Sequence, residues 1–197
     1  MMRFPNLEPG DIFTTRDKGI VGFINSTLMA PPTDEIHYGF ILMGAKNDDG
    51  VVDDYVTLES IARKGIIPGR LSFYEDRELK FYRIDCPKEL RERAPVELTR
   101  WGRSHYDYLL IPKIGTQGLW LISKHLITTG RFKPIRAEEL TWSANNSLVC
   151  TEGVDVGCDA VGVNVIPPGV CPMPSAFRQA EIDGRIKAIG EEELYGK

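Results

Sequence analysis

HYGFILMGAKNDDGVVDDYVTLES, residues 37–60, is the stretch on which the fold turns. Its first part, residues 37–43, is a short and almost wholly apolar run, which suits a strand covered on both faces. The polar run KNDDG (46–50) reads as a turn. Beyond it, Tyr55, Thr57 and Glu59 fall on one face of a second strand and Val56 and Leu58 on the other, because side chains alternate along an extended chain. Two strand-like runs joined by a short polar turn must fold back on each other. His37 and Glu59 are therefore predicted on adjacent antiparallel strands, with Glu59 returning to the level of His37. A third run, LKFYRIDC (79–86), extends this to an antiparallel meander.

Working outward, residues 11–15 follow the turn Pro9-Gly10 as a short strand, and Asp17 can cap a helix carrying Ile20, Ile24 and Leu28 at helical spacing. That helix must stop by Pro31-Pro32. Downstream the pattern becomes helical. Residues 97–105 place Leu98, Trp101 and His105 on one stripe, residues 118–127 form another candidate helix, and Tyr106-Asp107-Tyr108 lies between them. A helix is predicted to begin near Cys150, weakened by Gly153 and Gly157. After the irregular run Pro167-Pro168 to Pro174, residues 176–189 read as a final helix. The order helix, meander, helices is that of an α+β fold. With no internal repeat, low-complexity tract or Gly/Ser linker, residues 1–197 are expected to form a single domain.

Composition narrows the function. Among 197 residues, 24 Lys+Arg face 28 Asp+Glu, a net charge of −4. Without a clustered cationic surface to neutralise phosphates, no nucleic-acid partner is expected. The opening MMRFPNLEPGD has neither the charge nor the apolar run of a signal peptide, and the most apolar stretch, 119–127, is short and holds Lys124 and His125, so no membrane span is expected. Four cysteines without a secretion signal read as free thiols in a reducing, by default cytoplasmic, compartment.

The residues that could carry chemistry are few. A cysteine is a nucleophile only as thiolate, and a helix N-terminus lowers its pKa through unpaired N–H groups and the positive end of the helix dipole. Cys150, at the predicted helix start, is the cysteine placed for this; the competing reading is a small core residue. Of three histidines, His37 opens an apolar strand and is thereby rigidly mounted as a base. His105 and His125 read as solvated or packing residues. Glu59 is the candidate carboxylate that orients the imidazole, whereas Asp53 and Asp54 read as solvated turn carboxylates. Cys150, Cys158 and Cys171 lack zinc-ligand spacing, so no metal site is expected. Nor is there a P-loop, a GxGxxG after a strand, or a GxSxG, and no cofactor is expected.

Taken in order, these pieces carry a resemblance. Pro9-Gly10-Asp11-Ile12-Phe13, His37-Tyr38-Gly39-Phe40-Ile41-Leu42, Leu58-Glu59-Ser60 with Gly65-Ile66-Ile67, Phe81-Tyr82-Arg83-Ile84, Tyr106-Asp107, Leu148-Val149-Cys150-Thr151-Glu152 and Met173-Pro174-Ser175 together resemble the circularly permuted papain-fold amidases of the NlpC superfamily, the YiiX-type group. The resemblance covers nearly the whole chain and rests on order and spacing. It implies a permuted papain-like fold, with Cys150 as nucleophile, His37 as general base and Glu59 as orienting carboxylate. The permutation accounts for the His preceding the Cys. The chain departs from the pattern at Gly153, where the family commonly has a larger aliphatic residue, and at residues 113–146, which match no motif and read as a chain-specific insertion. Trp120 and Trp142, within that segment, are candidates either for a substrate groove or for core packing.

The activity implied is a cysteine hydrolase that cleaves an amide through an acyl-enzyme, with peptidoglycan-type peptides the family's frequent substrate class. A cell-wall substrate would require release by lysis or delivery with a phage particle. Two alternatives remain open: a lipid acyltransferase or thioesterase with the same Cys-His chemistry, which needs a larger apolar groove, and a catalytically silent binding module. The sequence leaves the oligomeric state open.

Overall fold

The computed structural model describes residues 6–16, 19–102, 104–107, 109–142 and 147–195. The reading of residues 37–60 is realised as two long strands, β3 (Glu35–Lys46) and β4 (Val52–Ile61), paired antiparallel from Lys46↔Val52 at the turn to Gly39↔Glu59. Ahead of them lie β1 (Ile12–Arg16), α1 (Ile20–Leu28) and the short β2 (Met29–Ala30). The residue capping α1 is Gly19; Asp17, the predicted cap, lies outside the described residues.

The meander is only half right. Its first hairpin continues into β5 (Gly65–Arg70), which pairs with β4, so the run predicted as the third strand, β6 (Leu79–Ile84), finds that edge taken. It pairs instead with β1, on the far side of β3. With β8 (Ile186–Ala188) added beyond β6, the described strands form a sheet in the order β5-β4-β3-β1-β6-β8. β5 carries Pro68, and an edge strand tolerates its missing N–H.

The predicted helix over 97–105 lies earlier in the chain. It is α2 (Lys88–Leu98), which starts from Pro87 and gives way to a 3-10 turn at Thr99–Trp101. Its buried positions are Arg91, Ala94, Pro95 and Leu98. A buried arginine, paired with Glu8, breaks the apolar period that would have revealed the helix. α3 (Leu110–Thr129) is longer than predicted and begins where Asp107 Oδ1 accepts the N–H groups of Leu109 and Leu110, each at 3.0 Å. A short β7 (Ile135–Arg136) pairs with β2. After α4 (Cys150–Asp159) comes α5 (Pro174–Ile182), with proline in its first turn, where its lacking N–H costs nothing. The final helix predicted over 176–189 is therefore split: α5 stops, Gly184 takes a left-handed conformation (φ 78°), and the chain enters β8 before α6 (Glu191–Tyr195).

Apolar side chains pack on both faces of the sheet. One face, with Ile12, Tyr38, Phe40, Leu58 and Tyr82, is covered by residues of α2, α4 and α5, among them Leu98, Val154 and Phe177. The other, with Phe13, Ile41, Tyr55 and Phe81, is covered by Leu7, Leu71 and Leu194. The Gly10-Asp11 pair has a structural reason. Gly10 (φ 83°) lies so close to the Arg91 carbonyl that a Cβ would collide with it. Asp11, fully buried, accepts from Arg83 Nε and Nη2 at 2.9 and 2.8 Å and from the Glu8 N–H at 2.8 Å, pinning the start of β1.

Candidate active site

His37 and Glu59 share the Phe13 face of the sheet. Gly39 stands directly opposite Glu59, and His37 is two residues from Gly39, hence on the same side of the pleat. Gly39 makes the diagonal approach possible, since a Cβ there would stand 2.5 Å from the Phe13 ring and 3.0 Å from Glu59 Cβ. His37 Nε2 meets Glu59 Oε2 at 2.6 Å, and Thr57 Oγ1 donates to Glu59 Oε1 at 2.7 Å. Tyr74 donates its hydroxyl to Glu59 Oε2 and lies 3.2 Å from His37 Nε2, and its ring stacks beside the imidazole at 5.7 Å between centroids.

Cys150 arrives from the opposite face. Pairing of β3 with β4 ends at Gly39↔Glu59; beyond it β4 continues along β5 while residues 35–37 of β3 pair with β1. The start of α4 is tied to both lips of this split. Ser60 Oγ donates to the Leu148 carbonyl at 2.7 Å, and the Cys150 thiol reaches the Ile36 carbonyl at 3.8 Å. Glu152 secures the helix start by accepting the Val149 N–H at 2.8 Å and Trp142 Nε1 at 2.6 Å. Thr151 Oγ1 donates to the Pro172 carbonyl at 2.6 Å, fixing the loop before α5. The departure at Gly153 leaves the helix intact, since α4 runs unbroken from Cys150 to Asp159, and a Cβ at 153 would make only ordinary contacts with Ile66 and Ser60. Gly157 is the tighter position: a Cβ would stand 2.8 Å from the Phe40 ring, so glycine lets α4 lie close on β3.

Through the split, Cys150 and His37 stand near enough for each to shift the other's titration. With Nε2 engaged by Glu59, Nδ1 is the ring nitrogen left to face the sulfur. Burial opposes ionisation of all three groups, yet their mutual contacts outweigh it. Cys150 is held below the ordinary thiol range by the nearness and charge of His37 and by the N–H groups of Tyr38 and Thr151. His37 is raised well above the ordinary imidazole value by Cys150 and Glu59. Glu59 is lowered by bonds from His37, Tyr74 and Thr57. The arrangement favours a thiolate beside an imidazolium, backed by a carboxylate. Tyr74 is the residue that sequence reasoning missed, since nothing in its own neighbourhood marks it. Burial and the Glu59 contact raise its pKa, so it remains a donor.

The other candidates lie elsewhere. His105 is exposed, in an isolated bridge to Ser147, and His125 sits half-buried on α3. Asp54 is paired with Ser72 and Arg70, away from the cysteine. Cys86 lies just past the end of β6 rather than within a strand. Trp142 packs on the core edge and bonds Glu152, whereas Trp120 is exposed, contrary to a core role.

A groove of about 280 Å³ opens beside Cys150 between α1 and α3. Its walls are almost entirely apolar, including Ile24, Leu28, Ile36, Ile114, Ile122 and Met173, with Asn25, Tyr106 and Thr151 as the polar exceptions.

No family model matches the sequence, and no curated protein is similar to it. Its fold, however, is similar to the crystal structure of the metalloprotein YiiX from Escherichia coli O157:H7 (DUF1105), with a TM-score of 0.58 at 13% identity over 94% of this chain and 97% of that one. The chain thus has a YiiX-like α+β fold. Among the described residues no group of three or more His, Cys, Asp or Glu could hold a metal ion. The His37-Glu59-Cys150 contacts are made among the side chains themselves, and a resident metal does not fit them.

Proposed function

We propose that this protein is a cysteine hydrolase acting through an acyl-enzyme, with Cys150 as nucleophile, His37 as general acid and base, and Glu59 as the carboxylate that orients His37. The observation that carries this reading is the His37-Glu59 hydrogen bond with the Cys150 sulfur beside it at the N-terminus of α4, each of the three shifting the next. The thiolate attacks a carbonyl carbon. Imidazolium Nδ1 gives its proton to the leaving group, then takes one from water for deacylation. The N–H groups of the first turn of α4 supply positive potential for the oxyanion. Glu59, held by Thr57 and Tyr74, keeps the ring from rotating and stabilises its positive charge.

The substrate reading follows from the groove. A cell-wall peptide carries charged groups that need charged partners, and the wall beside Cys150 offers none. The apolar lining favours an acyl amide, thioester or ester whose acyl part is aliphatic, which brings the acyltransferase or thioesterase alternative forward within the same chemistry.

Incubating the protein with p-nitrophenyl esters of increasing chain length, and weighing the intact protein, tests both points. The expected result is an acyl adduct on Cys150, absent in Cys150→Ser, with kcat/KM rising as the chain lengthens. Cleavage of muropeptides at higher kcat/KM than any acyl ester would restore the cell-wall reading. No adduct with either substrate would leave Cys150 a core thiol and the module a binding one.

A further inference from the structure

Among the described residues, nothing covers the outward face of α3. At about 100° per residue, Leu119, Trp120, Leu126 and Ile127 fall within an arc of about 120°, which they share with the small side chains of Pro112, Thr116 and Ser123. All four are half-exposed or more, at 61%, 61%, 50% and 84%. Helices on a water-soluble surface place polar residues there. The inner stripe of the same helix, with Ile114, Gly118 and Ile122, lines the groove beside Cys150. α3 is thus apolar on two sides, and only one of them is used within the fold. Ile24 of α1, 40% exposed, stands with Leu119 at the groove, and Phe132 beyond the helix is also exposed.

Charge says what covers the outer face. Residues 109–136 contain Lys113, Lys124, Arg131, Lys133 and Arg136 and no Asp or Glu; the rest of the chain has 19 basic against 28 acidic residues. Lys133 is paired with Glu139 at 2.8 Å, while Lys124 lies over the Trp120 ring with Nζ 5.0 Å from its centroid. Lys113 and Lys124 both fall beside the Trp120 edge of this arc on the helical wheel, and its other edge borders the groove. Aromatic and aliphatic residues bordered by lysines, without acids, are suited to a surface apolar below and anionic above.

We propose that the outer face of α3 docks this protein in the plane of an anionic phospholipid bilayer, with Leu119, Trp120, Leu126 and Ile127 entering the acyl boundary and Lys113 and Lys124 meeting the headgroups. No described helix is long and apolar enough to cross a membrane, and docking requires none. A second copy of the chain is a poorer occupant, because a two-fold pairing of this face would bring the same lysines together. The docking rests on the helix surface and not on what Cys150 cleaves. It places the groove mouth at the bilayer, where an aliphatic substrate would be found.

Flotation of the full chain with vesicles tests this, using equimolar phosphatidylglycerol and phosphatidylcholine against phosphatidylcholine alone. The expected result is binding to the anionic vesicles, weakened by salt, and a fall of about tenfold or more for the double variant Trp120→Glu, Ile127→Glu. Both side chains are exposed, so circular dichroism and the alkylation rate of Cys150 should match the parent protein. Failure of the parent protein to float with anionic vesicles at low salt would overturn the proposal. So would undiminished flotation of the variant, or a dimer in sedimentation that the variant abolishes without lipid binding.

Discussion

Gly69 stands across the β4–β5 pair from Thr57, and a Cβ on it would lie 2.5 Å from Glu59 Oε1 and 2.8 Å from Thr57 Oγ1. An edge-strand glycine thus makes room for the carboxylate that faces His37. Gly69→Ala is expected to push Glu59 off the imidazole and lower kcat by about tenfold, with KM and melting temperature nearly unchanged. Glu59→Ala should cost more, about 100-fold, while leaving some activity, because a Cys-His pair works without its orienter. Steady-state kinetics of the two variants on one acyl ester check the order. A Gly69→Ala protein with full kcat would remove Glu59 positioning from the mechanism.

The thiolate-imidazolium pair sets a pH profile. The pKa of Cys150 is lowered and that of His37 raised, so the pair carries both charges between those values. Iodoacetamide should therefore modify Cys150 well below the free thiol value of about 8.5. In His37→Ala the burial that opposes ionisation is offset only by the N–H groups of Tyr38 and Thr151, and the onset of alkylation should move upward. Rates measured from pH 5 to pH 10 in both proteins decide this. Superimposable profiles would mean that His37 does not control the sulfur.

Reactivity should also rank the four cysteines, all free. Cys158 is fully buried and its pKa raised by burial and by Asp155; Cys171 is pushed up to about 12, chiefly by burial. Cys86 is half-exposed, but burial still raises its pKa. Under brief alkylation at pH 6, mass spectrometry should find Cys150 modified first, with Cys86 following only as pH rises. Modification of Cys86 ahead of Cys150 at pH 6 would count against the nucleophile assignment.

Asp155 makes the fold sensitive to pH in the opposite sense to most carboxylates. Burial, reinforced by Asp159 and Glu152, pushes it up to about 7, and its Oδ1 has no hydrogen-bond partner. The folded state then binds this proton more tightly than the unfolded chain, whose aspartate titrates near 3.9. The stabilisation is whole below pH of about 4 and is lost as pH rises to about 7. Asp155→Asn should match the parent protein at pH 4 and exceed it at pH 8 by about 2–4 kcal/mol in denaturant unfolding. Equal stability of the two proteins at pH 8 would show the carboxyl to be otherwise relieved.

The sequence by itself determined the parts whose physics is local. Strand periodicity and the KNDDG turn put His37 and Glu59 on adjacent antiparallel strands, with Glu59 returning close to His37, because a hairpin register leaves little choice once its apolar positions must be buried. Val149 to Glu152 carries its own helix start in the reach of Glu152 back to the Val149 N–H. Tertiary structure decided what depends on competition for the same edge or the same space. β6 lies beside β1 because β5 took the free side of β4, a contest between long-range pairings that no single segment records. The buried Arg91 hid α2 because its Glu8 partner is far away in sequence. Tyr74 joins Glu59 only after the chain has turned beyond β5. Cys150 meets His37 because β3 and β4 part beyond Gly39 and the start of α4 is bonded to both lips of the gap. Reactive geometry of this kind is made by contacts between distant segments, which hold only once their burial has offset the entropy of bringing them together.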